Sequence, residues 1–552
     1  MGTIVRVSLH GRRVRGWVVA TDVEPDAAVG RILAISKVVG AGPPAEILDL
    51  CRWTARRWAG RPVALYRAAS APNAVRDPWP AVVEAPVATA TVEVLAWPPA
   101  ADRRELIAER IATSGSTLVL VTEPRLGALV RDLERRGHRV LVLRSDLDDA
   151  TRTRAWSAAR RGEVVVVGGR TAVWAPVPDL ASVVVLDEGD EALQEERVPT
   201  WHARDVVVER ARRVGAAVTL VAALPTPEAQ ALATAAVVRP ARSVERAGWP
   251  RVDVVDLREE PPGNGLLSDA LARGLHQAVD HGDRAVCVLN RKGRAKLLTC
   301  LTCSTVASCE RCQAAVVESA PGTLACPRCA TTRPMICLAC HGTKLRASRL
   351  GVQRLRDALA ALLPRTEVAW LDATVDEIPN APVVVGTEAS LHRVDARFVA
   401  FLDLDQELFA PRVRAAQQAA GLIARAARVV GNRERGGRLL VQTRTPDHEV
   451  VMFAMNGDPD PIMVVERARR AMLGFPPDGA VAELSGETSA VEAAAFALRR
   501  DFRVLGPSEH GTGLSALVFA ADSEALADGL EAAAPVGRAV GRLRIAVDPP
   551  RV

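Results

Sequence analysis

Eight of the ten cysteines in this 552-residue chain fall within residues 300–340, as four C-x-x-C pairs: Cys300/Cys303, Cys309/Cys312, Cys326/Cys329 and Cys337/Cys340. A C-x-x-C turn presents two thiolates on one side of a tight knuckle. Two knuckles complete a tetrahedral four-sulfur site suited to Zn²⁺. Four knuckles therefore predict two closed structural sites, with no open position for a catalytic water. Disulfides would require an oxidising compartment, which nothing else in the chain indicates. Redox C-x-x-C motifs come singly beside a βαβ pattern, not four in a row. A segment of about 40 residues cannot build a core of its own, so apparent zinc binding of about 10–16 kcal/mol would drive its folding. Cys51 and Cys287, each amid apolar neighbours, read as buried free thiols.

A second constellation is acidic. Asp187 and Glu188 open a DEGD box at the end of the apolar run SVVVLDE. Acids so placed would hold Mg²⁺ and orient water if a phosphate cradle faced them. Such a cradle needs G-x-x-x-x-G-K-[ST] after a strand, with backbone N–H groups on the phosphates and a lysine reaching the β/γ oxygens. The motif occurs nowhere in the chain. Without it, the acids read as a relic, a solvated strand end.

The elements that would carry these groups are legible from hydrophobic runs. LVLVTE (118–123), RVLVL (139–143), EVVVVGG (163–169), SVVVLDE (182–188) and AVTLVAA (217–223) are short and apolar, with helical segments between them. They predict strands buried on both faces of a parallel sheet with crossover helices. VAWLD (368–372), PVVVGTE (382–388) and FVAFLDLD (398–405) repeat the pattern, and LGVQRLRDALAALLP (350–364) has the apolar spacing of an amphipathic helix. The N-terminus alternates as a hairpin, with Ile4, Val5 and Val7, a turn at His10-Gly11-Arg12, and then Val14 to Val19, followed by a helix over 45–59. Arg12, Arg13 and Arg15 are candidate phosphate contacts, or simply a solvated hairpin. Trp17, Trp53 and Trp58 read as core. Residues 71–90, rich in Pro and Ala, read as a linker.

Composition is globular: 49% hydrophobic, 25% charged, net charge +6. No apolar run reaches the 18–20 residues or so of a membrane span, and no hydrophobic leader opens the chain. A cytoplasmic protein is the expectation. Nearly all the positive charge is arginine, with Lys only at 37, 292, 296 and 344. That bias fits a high-GC genome better than selection for phosphate binding.

The intervals between the cysteine pairs, five, thirteen and seven residues, follow directly on VCVLNRKGRAKLL. This combination resembles the zinc-binding insertion of the PriA family of primosomal replication-restart proteins, where it interrupts the second lobe of a superfamily 2 helicase. Further landmarks are GGRTAVWAP (168–176), the DEGD box, HARD (202–205), Gly386-Thr387, ERARRAMLGFPP (466–477) and a final IAVDPPRV. The resemblance implies an α/β multidomain chain: two RecA-like parallel-sheet lobes with a two-zinc insertion, a small β-rich N-terminal domain and an α/β C-terminal domain. The implied boundaries are an N-terminal DNA-binding domain (1–70) of the 3′-end-binding type, the linker (71–90), lobe 1 (91–240), lobe 2 (241–299 and 341–445), the zinc insertion (300–340) and the C-terminal domain (446–552). It implies interleaved zinc ligand sets, Cys300, Cys303, Cys337 and Cys340 for one ion, and Cys309, Cys312, Cys326 and Cys329 for the other.

The chain also departs from the family. The family's winged-helix domain has no room between 70 and 90. The N-terminal match begins part-way into the family's module, which implies a translation start placed too far downstream or an incomplete 3′-end pocket. Where the family has its Gly-Lys-Thr, the register gives Pro98, Pro99 and Ala100 within VLAWPPA (94–100). The two arginines that should complete an ATP site have become Val429 and Asn432, with Arg425, Arg428, Arg433 and Arg435 nearby. Proline has no N–H to donate, and none of the three residues supplies an ammonium or a Mg²⁺-ligating hydroxyl.

The resulting expectation is a protein that binds stalled or abandoned forks and promotes reloading of the replicative helicase without ATPase or helicase activity. Its partners would be forked or single-stranded DNA, other primosome proteins, the replicative helicase and single-strand-binding protein. Two rival expectations are a DNA-stimulated ATPase and 3′–5′ helicase with an atypical nucleotide site at Asp187 and Glu188, and a zinc-ribbon nucleic-acid-binding protein outside replication.

Overall fold

Two six-stranded parallel sheets carry the middle of the chain. In the first the strand order is Val92–Ala96, Ala217–Ala222, Leu180–Leu186, Ser116–Leu120, Val165–Gly168, Val140–Leu143. In the second it is Arg251–Asp256, Arg438–Thr443, Phe398–Phe401, Ala285–Val288, Val383–Gly386, Val368–Leu371. This computed structural model describes all residues except 25–31, 78, 80–88, 123–125, 262–264, 290–296, 348–351, 372–374, 376, 511–512 and 551–552. The central strands are buried along their whole length, as the apolar runs predict, because helices cover both faces of each sheet. The two lobes share a device at the strand ends. A Cβ on Gly168 would lie 2.1 Å from the Leu143 carbonyl oxygen, and one on Gly386 would lie 2.0 Å from that of Leu371. Only glycine lets each strand end close on its edge neighbour.

Some predicted elements end earlier than their apolar runs. FVAFLDLD leaves the sheet at Phe401, and Asp405 starts a short helix, Asp405–Leu408. The amphipathic helix spans Val352–Leu362. Arg425 and Arg428 stand on one long helix, Ala415–Val430.

The cysteine segment leaves and re-enters the second lobe through an antiparallel pair, Leu298–Cys300 with Leu345–Ala347. The C-terminal residues form a four-stranded antiparallel sheet, in the order Arg503–His510, Gly513–Ala520, Ala480–Gly486, Leu543–Val547. Its helices Thr488–Leu498 and Ser523–Val540 join a hydrophobic core that also includes Leu118 and Val183 of the first lobe, Ile47 of the N-terminal helix Ala45–Arg57 and Trp58, which caps that helix. The N-terminal strands Ile4–Leu9, Arg12–Trp17 and Lys37–Gly40 form one small antiparallel sheet with the first strand in the middle. Trp58 is fully buried, Trp53 packs edge-on against it at 5.8 Å, and Trp17 lies 6.0 Å from Tyr66, so these rings are core.

The stretch read as a linker packs down in its first part. Ala71 and Val75 are buried, and Val75 forms a bridge with Ala41, because apolar residues in the Pro/Ala-rich segment find the first lobe's surface. Residues 78 and 80–88, and all of NRKGRAK (290–296), lie outside the described residues. Among the described residues no helix is long and apolar enough to cross a membrane.

Candidate metal centres and nucleotide cleft

The eight clustered cysteines assemble into two groups of four. Cys300, Cys303, Cys337 and Cys340 form one, Cys309, Cys312, Cys326 and Cys329 the other, with ligand atoms in each group all within 4.8 Å of one another. The sulfur separations in hydrogen-bonding range are 3.5 Å (Cys300–Cys340, Cys309–Cys329, Cys312–Cys326) and 3.6 Å (Cys303–Cys337, Cys312–Cys329). A disulfide would bring sulfurs to about 2.05 Å. A tetrahedron with Zn–S near 2.3 Å has edges of about 3.8 Å, so the spacing fits a four-thiolate zinc shell.

The four knuckles share one backbone construction. In each, the residue after the second cysteine is left-handed: Ser304 (φ 58°), Gln313 (φ 60°), Ala330 (φ 58°) and His341 (φ 59°). Its N–H donates to the carbonyl of the first cysteine, at 2.9 Å in three knuckles and 3.0 Å in the fourth. Left-handed backbone costs a non-glycine residue about 1 kcal/mol or more. Paying it four times makes sense where a bound ion holds the turn. Two thiols are further tuned in parallel ways. Thr305 Oγ1 lies 3.3 Å from Cys303 Sγ, and Thr331 Oγ1 lies 3.2 Å from Cys329 Sγ. Burial would raise both thiols, but these hydroxyls and the same residues' N–H groups bring each down to about 6. Cys51 and Cys287 are fully buried elsewhere, and burial pushes both thiols up, Cys287 to about 12.

A cleft of about 530 Å³ lies between the lobes, lined by Asp187 and Asp190 on one side and by Gln417, Arg425 and Arg428 on the other. Its charges are already paired. Arg103 donates to both oxygens of Asp187 at 2.9 Å, and Arg428 crosses from the second lobe to the same carboxylate at 2.6 and 2.8 Å. Arg425 pairs with Asp190 and donates to Thr122 Oγ1 at 3.2 Å. Asp187 itself sits in left-handed backbone (φ 50°), held there by its two guanidinium partners. Glu188 points the other way and is fully enclosed. Arg204 lies 3.0 Å away, and the Thr226 N–H and hydroxyl donate at 2.7 and 3.0 Å. Burial pushes its carboxyl above its ordinary value despite these partners. Gly189 is glycine because a Cβ there would lie 2.4 Å from the Thr226 methyl.

The loop after the first strand keeps nothing to offer a phosphate. Trp97 N–H donates to Ala222 O (2.8 Å), Ala100 N–H to Gly248 O (3.0 Å) and Ala101 N–H to Pro98 O (3.3 Å), while Pro98 and Pro99 have no N–H. Every backbone N–H in residues 97–101 is therefore spent on the protein's own carbonyls.

The structure thus separates Asp187 from Glu188, placing one in the cleft and one in the core, and neither is a solvated strand end. Val429 and Asn432 make no contact with the acids. Instead Arg425 and Arg428, four residues earlier and so about one helical turn back, keep the three-residue spacing and meet carboxylates. Arg103 and Thr226 were not singled out from sequence. The signal for Arg103 was its place at the start of the helix Arg104–Arg110, just after the Pro-Pro that replaces the phosphate loop.

Residues 1–71 match the model of the PriA 3′DNA-binding domain (3′BD). The chain is 30% identical over 548 residues to a probable replication restart protein PriA from Mycobacterium leprae, covering 89% of this chain and 84% of that protein. It is 27% identical over 439 residues to the replication restart protein PriA of Bacillus subtilis, covering 72% of this chain. The chain spans 54% of that relative and 59% of the Treponema pallidum one. Among solved structures, RecG bound to a three-way DNA junction has a TM-score of 0.37 at 10% identity, over 68% of this chain and 43% of that one. That likeness is too loose to argue from.

Proposed function

The chain belongs to the PriA family of replication restart proteins, and from that membership we propose that it recognises stalled or abandoned forks and promotes reloading of the replicative helicase without hydrolysing ATP. The observation that carries the second half is the cleft. Asp187, the acid that would hold Mg²⁺, is neutralised by Arg103 and Arg428, and the N–H groups of the loop opposite are spent. A nucleotide–Mg²⁺ complex would have to displace two guanidinium groups and then find no phosphate donors in that loop.

On this reading the two lobes act as a scaffold. The N-terminal module (1–70) and the C-terminal domain (446–552) hold fork arms. Two zinc ions, one on Cys300, Cys303, Cys337 and Cys340 and one on Cys309, Cys312, Cys326 and Cys329, fix a surface for other primosome proteins, the replicative helicase or single-strand-binding protein. Zinc supplies charge neutralisation and rigidity there, and the eight thiolates supply every ligand. Such a protein works in the cytoplasm, at the nucleoid.

The test is DNA-stimulated ATP hydrolysis, with equilibrium binding of a fluorescent ATP analogue, by the zinc-loaded protein on a forked substrate. Tight fork binding with neither signal is expected. Turnover that disappears in Asp187→Asn would overturn the scaffold reading.

A further inference from the structure

The N-terminal sheet sorts its cations by face. Residues paired across antiparallel strands share a face, and the register pairs Arg6 with Arg15 on one side and with Lys37 on the other. Arg13, opposite Ser8, lies two residues from Arg15 and so on the same face, whereas Arg12, opposite Leu9, lies on the other. Arg6, Arg13 and Lys37 are exposed and Arg15 is half-buried. Among the described residues none of the four is ion-paired, whereas arginines elsewhere in the chain are commonly matched to acids. Like charges placed directly opposite each other in a sheet repel. With neighbouring strands about 4.8 Å apart, the Lys37–Arg6–Arg15 row extends about 10 Å.

The same face offers no base platform. Trp17 lies two residues beyond Arg15, but its Nε1 donates to Ser70 Oγ at 3.0 Å and its ring packs on Tyr66. The face therefore presents charge without an aromatic stacking platform, and a surface of that kind takes most of its contacts from the backbone of a nucleic acid.

We propose that Arg6, Arg13, Arg15 and Lys37 form a phosphate track across the N-terminal sheet that takes the sugar–phosphate backbone of a single DNA strand, indifferent to base identity. This deepens the DNA-binding reading above and rests on it. It also divides the three arginines of the hairpin, assigning Arg13 and Arg15 to the track and leaving Arg12 outside.

The experiment is fluorescence anisotropy with labelled dT20 and dA20 and the full zinc-loaded chain, from 50 to 300 mM salt. For single strands each lost phosphate contact lowers the slope of log K against log salt by about 0.7. Replacing all four residues by Gln should therefore reduce the slope by two to three and weaken binding at least tenfold at low salt. Arg15→Gln alone should reduce it by about 0.7, and Arg12→Gln should leave it unchanged. The two oligonucleotides should bind within about twofold of each other. Zinc content and the thermal transition of each variant show that it is folded, and the single Arg15→Gln exchange stands if the fourfold variant is not. An unchanged slope in folded variants, or an equal loss in Arg12→Gln, overturns the track while the wild-type chain still binds DNA. If the wild-type chain binds neither oligonucleotide nor a fork, the DNA-binding reading itself falls.

Discussion

The cysteine module and the interlobe cleft both gather groups that could hold a cation, and they differ in who supplies the countercharge. The module brings eight sulfurs together in two groups of four, while its guanidinium groups bond backbone carbonyls, Arg328 that of Cys312 and Arg333 that of Ser308. Four left-handed turns aim those sulfurs at two points. The cleft sets Arg103, Arg425 and Arg428 against its acids Asp187 and Asp190. A site that needs an outside ion stays open to that ion, and a site neutralised by the protein's own guanidinium groups has no electrostatic demand left.

That contrast is sharpened first by removing metal. Chelation at neutral pH should release two zinc ions per chain and unfold the module, since metal binding supplies about 10–16 kcal/mol of its apparent folding energy. The lobes, with their own cores, should keep most of their secondary structure. Metal analysis and limited proteolysis would show this, with new cuts confined to 300–340, and Cys309→Ser should lower the content from two ions to one. A module that resists protease after chelation would break the comparison.

A smaller effect is expected on the cleft side. Glu188→Ala would leave buried Arg204 with Asp205 as its remaining carboxylate and strand the hydrogen bonds aimed at Glu188, at a cost of about 1–3 kcal/mol. Urea unfolding should show that loss, and adding Arg204→Leu should restore much of it. A loss under about 1 kcal/mol would mean the pair is not the internal neutralisation described here.

The smallest effect is set by pH. Burial would raise the Glu228 carboxyl, but Arg470, Arg414 and Arg204 outweigh it and hold it far below its ordinary value near 4.5. The unfolded carboxyl then takes up its proton first, so this stabilisation is complete above about pH 4.5 and is lost as pH falls below that value. The stability gap between wild type and Glu228→Gln should shrink between pH 7 and 3. A constant gap would remove Glu228 from the charge network that joins the first lobe, the helix Ala415–Val430 and the C-terminal segment through Arg414 and Arg470.

Much of this was legible in the chain itself. Apolar runs such as VVVV and FVAF announce strands covered on both faces, because burial leaves no reason for alternation. The C-x-x-C pairs announce metal through ligand chemistry. These are local properties of residue types. What only the tertiary structure decided is partnership at a distance: Arg103 with Asp187 across 84 positions, Arg428 with the same carboxylate across 241. Sequence spacing places arginines near a motif but leaves open which carboxylate they meet. That depends on how two separately folded sheets are set against each other, and Coulomb energy falls off over a few ångströms. The same reason separates Glu188 from Asp187. Adjacent in the chain, one is turned into the core and the other into the cleft by a single left-handed residue.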